Sequence, residues 1–205
     1  MKKPASAKKP STTDRAPQEV RIIGGQWKRS KLAVSDHPGL RPTPARVRET
    51  LFNWLGHDLT GLRCIDAFAG TGALGLEAAS RGAGEVVLVE QEGDLIRSLS
   101  SATTRLKASC VRIERGDGVA ALQKRQGQGW DLVFLDPPFG EDGNPALVLA
   151  ALQAARQAVH AEGDIYLESP RLWSDEELLP IGLRTNKHGK AGVVVFHLLR
   201  PITAT

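Results

Sequence analysis

The sequence predicts an α/β protein built on a doubly wound, mainly parallel sheet, and three observations carry that expectation. Short apolar runs alternate with helical patterns from Leu62 onward. A glycine-rich turn, Gly70-Thr71-Gly72-Ala73-Leu74-Gly75, follows the first run and opens a helix. Successive predicted strands end at or just before an acid, at Asp66, Glu90, Asp117 and Asp136.

Taken in order, residues 1–19 are rich in Lys, Pro, Ser and Thr with almost no large apolar side chain, so burial cannot offset the entropy of ordering and a disordered tail is expected. Residues 20–60 form an extension. In it Val20-Arg21-Ile22-Ile23 and Leu32-Ala33-Val34 flank a basic, glycine-containing stretch and predict a hairpin. Arg41-Pro42-Thr43-Pro44 predicts a helix start, with Thr43 as N-cap and Pro44 at the first helical position. Val47, Leu51, Phe52 and Leu55 share one face of that helix, which leaves Arg46 and Arg48 largely off it and free to meet substrate or cofactor.

Residues 61–205 form the remaining domain. Arg63 to Asp66, a helix Ala73 to Arg81 and a strand Glu85 to Glu90 make a βαβ unit. A helix Asp94 to Lys107, a strand Cys110 to Arg115, a short helix Val119 to Lys124 and a strand Leu132 to Leu135 continue the alternation. A helix Ala146 to Val159, a strand Asp164 to Glu168 and a terminal antiparallel pair near Leu183 to Thr185 and Val193 to Leu199 complete it.

Composition narrows the function classes. At 205 residues and 41% hydrophobic, the chain can bury a substantial core. No apolar run approaches the roughly 18 residues of a membrane span, and the Lys- and Pro-rich start does not resemble a signal peptide, so a cytoplasmic protein is expected. Cys64 and Cys110 fall inside predicted strands and read as small buried apolar residues. His37, His57, His160, His188 and His197 show no metal-ligand spacing, and no metal is expected. Residues 1 to 48 hold 12 of the 27 Lys and Arg but 3 of the 23 acids. That asymmetry points to an anionic macromolecule, nucleic acid by preference, approaching the N-terminal side. A solvated basic tail kept for solubility has the same composition.

The carboxyl ends of the strands in such a sheet border the ligand crevice, so the four acids should ring one cavity suited to a cation or a polyhydroxylated ligand. The glycine turn satisfies G-x-G-x-x-G, and Glu90 follows about 20 residues later, as in dinucleotide sites. An NAD-dependent oxidoreductase is therefore an alternative, although no hydride-transfer acid or base is evident. S-adenosylmethionine fits better, because it has no pyrophosphate. Its sulfonium and ammonium suit Asp66 and the backbone near Phe68, its ribose diol Glu90 and its adenine amine Asp117.

Asp131-Leu132-Val133-Phe134-Leu135-Asp136-Pro137-Pro138-Phe139 is a buried-strand pattern that stops at a carboxylate, two prolines and an aromatic ring. The prolines lack N–H groups and stiffen the exit, so the Asp136 carboxylate and Pro137 carbonyl form acceptors with no nearby backbone donor. Such acceptors suit an incoming NH2 group. Phe139 adds a face on which a base can stack, worth about 1 to 3 kcal/mol. A plain strand-to-helix turn would use the same residue types, and Glu168, Ser169 and Pro170 at the next strand end read equally as pocket wall or simple strand exit.

Asp66-Ala67-Phe68-Ala69-Gly70-Thr71-Gly72 together with Asp136-Pro137-Pro138-Phe139 resembles the Rossmann-like class I S-adenosylmethionine-dependent amino-methyltransferases. Arg21-Ile22-Ile23-Gly24-Gly25, Arg41-Pro42-Thr43 and Arg46-Val47-Arg48-Glu49-Thr50-Leu51-Phe52-Asn53 sharpen the likeness to the bacterial family that methylates a guanine N2 amine of 16S ribosomal RNA. It runs from about Val20 to Arg200 and departs in the long tail and in the polar insert Gly140 to Asn144. The resemblance implies cofactor contacts at Asp66, Phe68, Gly70, Gly72, Glu90 and Asp117, and catalysis at Asp136, Pro137, Pro138 and Phe139. Ribosomal RNA, within a partly or fully assembled small subunit, is the expected partner of a monomer, touching Arg21, Lys28, Arg29, Arg41, Thr43 and Arg46. A DNA adenine amino-methyltransferase would share the loop chemistry but ordinarily carries a sizeable recognition insert, whereas the connections after Asp136 are short.

Overall fold

The computed structural model describes residues 19–34, 42–140 and 142–202; the predicted tail before Glu19 and the expected RNA contact Arg41 lie outside them. Strands β1 (Glu19–Arg21) and β2 (Lys31–Ala33) pair antiparallel. Both end sooner than the apolar pattern predicts. For β1 the physical reason is that Ile23 and Gly24 turn their amides out of the ladder and donate them to the Glu77 carboxylate at 2.7 and 2.8 Å.

Helix α1 (Ala45–Leu55) follows. Its N-cap is Pro44, with φ −56° and ψ 147°, and no side chain caps it. The expected Thr43 cap is therefore incorrect, since Pro44 is still extended and the helix starts one residue later.

The remaining strands are β3 (Arg63–Asp66), β4 (Glu85–Glu90), β5 (Val111–Arg115), β6 (Trp130–Leu135), β7 (Val159–Ser169), β8 (Leu183–Ala191) and β9 (Val194–Pro201). They form one sheet in the order β5-β4-β3-β6-β7-β9-β8. The first five run parallel, whereas β9 lies antiparallel to both β7 and β8. The order reverses between β4 and β6 on either side of β3, which puts the crevice at the carboxyl end of β3.

Side chains in the central strands alternate between two cores, as a pleated strand covered on both faces requires. Cys64, Val86, Leu88, Leu132, Phe134 and Tyr166 pack on one face against α2 (Ala73–Ser80), α3 (Gly93–Leu106), α1 and the hairpin. Ile65, Val87, Val89, Val133, Leu135 and Ile165 pack on the other against α4 (Gly118–Gln123) and α5 (Pro145–Ala158). Cys110 departs from expectation: it lies just before β5 and is half-buried, while Cys64 is buried. His197 is buried with Nε2 facing the Trp173 amide, and desolvation lowers its pKa to about 4.

A short helix α6 (Asp175–Leu178) and a 3₁₀ turn (Leu179–Ile181) go beyond the elements expected, although Ser174 and Glu177 form a capping box of the S-x-x-E kind.

The extension is locked to the sheet through α2, whose residues are all buried. Glu77 accepts from the two hairpin amides and from Arg81 Nε at 2.9 Å, and faces Arg48 Nη1 at 3.6 Å. Arg48 is thus 2% exposed and anchored on Glu77 and on the carbonyls of Arg21 and Thr43, contrary to the expectation that it is free. Ser80 Oγ donates to the Gly24 carbonyl at 2.6 Å and accepts from the Trp27 amide at 2.9 Å. Gly25, at φ +71°, passes so close that a Cβ would lie 1.8 Å from the Ser80 carbonyl oxygen. Removing one partner of a buried ion pair strands the other charge, so Glu77→Ala is expected to lower stability by about 3 to 5 kcal/mol. A urea midpoint shift, with loss of hydrogen-exchange protection at the Ile23 and Gly24 amides, is the check; unchanged protection would contradict the clasp.

Candidate active site

The carboxyl edge gathers the expected acids. Asp66 ends β3, Glu90 ends β4 and Asp136 follows β6 directly. β3 and β6 are neighbours, with Asp66 opposite Phe134 and the Ala67 amide donating to the Phe134 carbonyl at 3.1 Å. Asp136 therefore emerges beside the Gly70 turn. A fifth acid, Glu168 near the end of β7, joins the cluster and is 3% exposed.

Asp66 is held by the fold rather than by solvent. Its Oδ2 accepts from the Gly75 amide at 3.0 Å, inside the first turns of α2. Gly75 allows that approach, since a Cβ there would lie 2.2 Å from Leu88 Cδ2. Oδ1 is buried with no hydrogen-bond partner. Burial above all, and then the charges of Glu90 and Glu168, raise the Asp66 pKa to about 7 against the pull of the Gly75 and Phe68 amides. A buried carboxylate oxygen without a partner is an acceptor awaiting a cationic or N–H donor.

Gly70 (φ +51°) and Gly72 (φ +76°) shape the turn. The Gly70 amide donates to Glu90 Oε2 at 2.8 Å, and Glu90 Oε1 accepts from the amides of Gln91 and Glu92 at 2.7 and 3.0 Å. Oε1 thus has both lone pairs engaged, whereas Oε2 keeps one for a hydroxyl of a diol. Gly72 is buried, and a Cβ there would meet Leu99 Cδ2 at 2.7 Å, so its role is packing of the turn. Phe68 is half-buried against the second core. Asp117 is exposed and caps α4, with Oδ1 accepting from the Ala120 amide at 2.8 Å; Oδ2 is met by Gln91 Nε2 at 3.3 Å. An adenine amine would have to share that second oxygen with Gln91.

Asp136 and Phe139 are half-buried, Pro137 is buried and Pro138 is exposed. Desolvation, followed by the charges of Glu168 and Asp66, holds the Asp136 pKa well above the ordinary carboxylate range. The loop continues through Gly140 (φ +60°) to Gly143, where a Cβ would lie 2.8 Å from Pro170 Cγ, so the polar insert lies against the exit of β7.

Thr43 is the residue that sequence reasoning misplaced most. Expected as a cap and an RNA contact, it is 4% exposed, and its hydroxyl hydrogen-bonds to the carboxylates of Asp136 and Glu168. The Arg-Pro-Thr motif ahead of α1 was the available signal. Arg21, Lys28, Arg29 and Arg46 are exposed as expected, with Arg21 paired to Glu19 at 3.1 Å. Lys28 and Arg29 lie in the hairpin turn, and this turn docks on the last turn of α2, where Gln26 N donates to the Ser80 carbonyl. That is the amino edge of the sheet. Arg46 sits at the other end of α1, and a helix of 11 residues spans about 16 Å. A cavity of about 460 Å³ borders Lys28, Asn53, His57 and Arg81 at the amino edge.

A family model described as conserved hypothetical protein 95 matches residues 20–200. The chain belongs to that family. Ribosomal RNA small subunit methyltransferase D of Escherichia coli strain K12 is 47% identical over 121 residues, which cover 59% of this chain and 61% of that relative. Putative rRNA methyltransferase YlbH of Bacillus subtilis is 32% identical over 183 residues, covering 86% of this chain and 98% of the relative. A solved structure described as putative methyltransferase yhhF from Escherichia coli aligns with a TM-score of 0.76 at 33% identity, over 90% of this chain and 98% of the other. The conserved hypothetical protein 95 chain thus has the class I methyltransferase fold, whose methyl donor is S-adenosylmethionine. The open Asp66 Oδ1, the Glu90 acceptors and the glycine turn fit that molecule.

The sign of the pH effect follows from Asp66. Its pKa rises from 3.8 to about 7 on folding, so it favours the folded, empty protein below about pH 4, and that contribution is lost as pH rises to about 7. A cationic ligand that needs the anion should bind more tightly across the same interval. Calorimetric affinity for S-adenosylmethionine is expected to rise from pH 5 to about 7 and then level. A flat profile would remove Asp66 from the donor-binding set.

Proposed function

We propose that this protein is an S-adenosylmethionine-dependent methyltransferase acting on the exocyclic N2 amine of a guanine in small-subunit ribosomal RNA. The observation that carries the proposal is the adjacency of two acceptor sets, Asp66 with its open oxygen at the end of β3 and Asp136-Pro137 at the end of β6. The names of the Escherichia coli and Bacillus subtilis relatives support ribosomal RNA as the substrate class. The guanine N2 position rests on the likeness of the combined motifs.

When bound, S-adenosylmethionine supplies a methyl group on a sulfonium that can be attacked by a nucleophile. Asp66 and Glu90 anchor the donor. Asp136 and the Pro137 carbonyl accept the two N–H bonds of an amine from a base extruded out of its stack, and Phe139 offers the stacking face. A guanine amine is a poor nucleophile because its lone pair is conjugated with the ring. Two accepted hydrogen bonds favour a pyramidal nitrogen and free that pair. Held alignment of the reactants supplies about 7 to 11 kcal/mol of barrier lowering in well-oriented systems. Orientation therefore ranks above proton removal, since the methylated ammonium is acidic enough to lose its proton to water.

Labelled S-adenosylmethionine offered with ribosomal RNA, partly assembled small subunits, duplex DNA and protein tests the substrate class, and label in the RNA alone is expected. Transfer to DNA adenine would overturn the reading. Asp136→Ala should abolish single-turnover methylation while leaving donor affinity nearly intact; a near-normal rate would refute its role.

Lys28 and Arg29 lie at the far end of α1 from Asp136, so they serve RNA binding and not the methyl-transfer step. Charge removal at both is expected to lower RNA affinity and to reduce the steepness of its salt dependence by about one for each phosphate no longer neutralised. Donor binding should not change. Equal salt slopes in wild type and variant would exclude both residues from the RNA footprint.

A further inference from the structure

Glu168 has no part in the reading of Asp136 as amine acceptor, yet it occupies the same wall. It lies near the end of β7, beside β6, and is 3% exposed. Tyr166, also on β7 and fully buried, donates its hydroxyl to Glu168 Oε1 at 2.9 Å. The Thr43 hydroxyl, brought in ahead of α1, hydrogen-bonds to Glu168 and to Asp136. Thr43 is itself fixed, because its carbonyl accepts from Arg48 Nε at 3.2 Å. Two carboxylates thus meet at one hydroxyl, and that hydroxyl has a single proton to donate.

Among the described residues, the surrounding charges do not neutralise the pair. From β3 the Asp66 carboxylate faces Asp136, with Glu90 of β4 behind it. From α1 the Arg48 guanidinium acts on Glu168, but it also lies 3.6 Å from Glu77. Tyr166 from β7 is held neutral by burial and the neighbouring carboxylates. Two like charges on either side of a shared donor, one of them buried and the other half-buried, favour retention of a proton.

We propose that Glu168 is a positioning residue for Asp136, acting through the Thr43 hydroxyl, so that one proton is shared between the two acids and the pair sets when Asp136 is free to accept the substrate amine. Burial, which pushes both carboxyls upward, and the Glu168 charge, which pushes Asp136 up further, agree with this. The arrangement also gives the Arg-Pro-Thr segment a chemical role: docking of α1 by the Arg48–Glu77 contact delivers Thr43 to the acids. The inference rests on the proposed role of Asp136, but its test does not need RNA.

Carbon-13 carboxyl NMR of the free full-length protein, with the Asp136 resonance assigned through Asp136→Asn, reads the titration directly. Glu168→Gln keeps the shape and the Tyr166 hydrogen bond while removing the charge. It is expected to lower the Asp136 midpoint by about one pH unit or more, a tenfold change in proton affinity. Thr43→Val should raise that midpoint, and Thr43→Ser should restore it. A structural role would not move the midpoint in opposite directions. An Asp136 midpoint unchanged in both Glu168→Gln and Thr43→Val overturns the inference. So does a fall in Glu168→Gln with no effect of Thr43→Val, because the acids would then interact without the hydroxyl. If Glu168→Gln does not fold, the Thr43→Val and Thr43→Ser pair decides the matter alone. Loss of the proposed activity on RNA would leave these titrations standing, so the two failures are distinguishable.

Discussion

Among the described residues, the carboxyl edge of the sheet holds more buried negative charge than the cations beside it balance, and the organisation of the site follows from that imbalance. Asp66 and Glu168 are almost fully buried and Asp136 is half-buried, while the cation acting on the group, Arg48, is shared with Glu77. Carboxylates in that situation either hold protons or await a cation. Both states matter here. Asp66 keeps a buried oxygen without a partner, which under the proposed function a cationic methyl donor would satisfy, and Asp136 sits with Glu168 around one threonine hydroxyl.

The N-terminal extension is bound into this chemistry by α2. Glu77 near the middle of that helix collects two hairpin amides and two guanidinium groups, and Ser80 one turn later takes the rest of the hairpin. Gly25 belongs to the contact because nothing larger passes the backbone at the end of α2. The same helix begins at the glycine turn beside Asp66. One helix thus joins the glycine turn at its start to the basic hairpin at its end, and α1 runs back beside it to place Thr43 on the acids. An RNA that reaches both Asp136 and Lys28 has to follow the length of α1.

Much of this is legible in the sequence. The alternation of strands and helices implies the parallel sheet because each central strand is a short apolar run flanked by turn residues, and β4 has the very ends its pattern predicts. Asp66, Glu90 and Asp136 can be placed at one edge because strand direction is fixed by the βαβ connection. β8 is longer than its pattern suggests, since Lys187, His188 and Lys190 make it a polar edge strand with little periodic signal. Arg48 and Thr43 mislead for a different reason. Helical periodicity places a side chain on one face but does not say whether another element covers the opposite face, and here the hairpin and β7 cover both residues. Glu168 is visible as a strand-terminal acid, but its coupling to Asp136 depends on β6 and β7 being neighbours, which only the fold shows.

The most direct measurement of the central claim is a crystal structure of the protein with an analogue of S-adenosylmethionine that carries an amine in place of the sulfonium methyl. The account predicts the ligand's amino-acid end within hydrogen-bonding distance of Asp66 Oδ1, its ribose on Glu90, and the methyl-mimicking amine turned toward Asp136 and the Pro137 carbonyl. A ligand bound elsewhere, or one whose amine points away from Asp136, would contradict it.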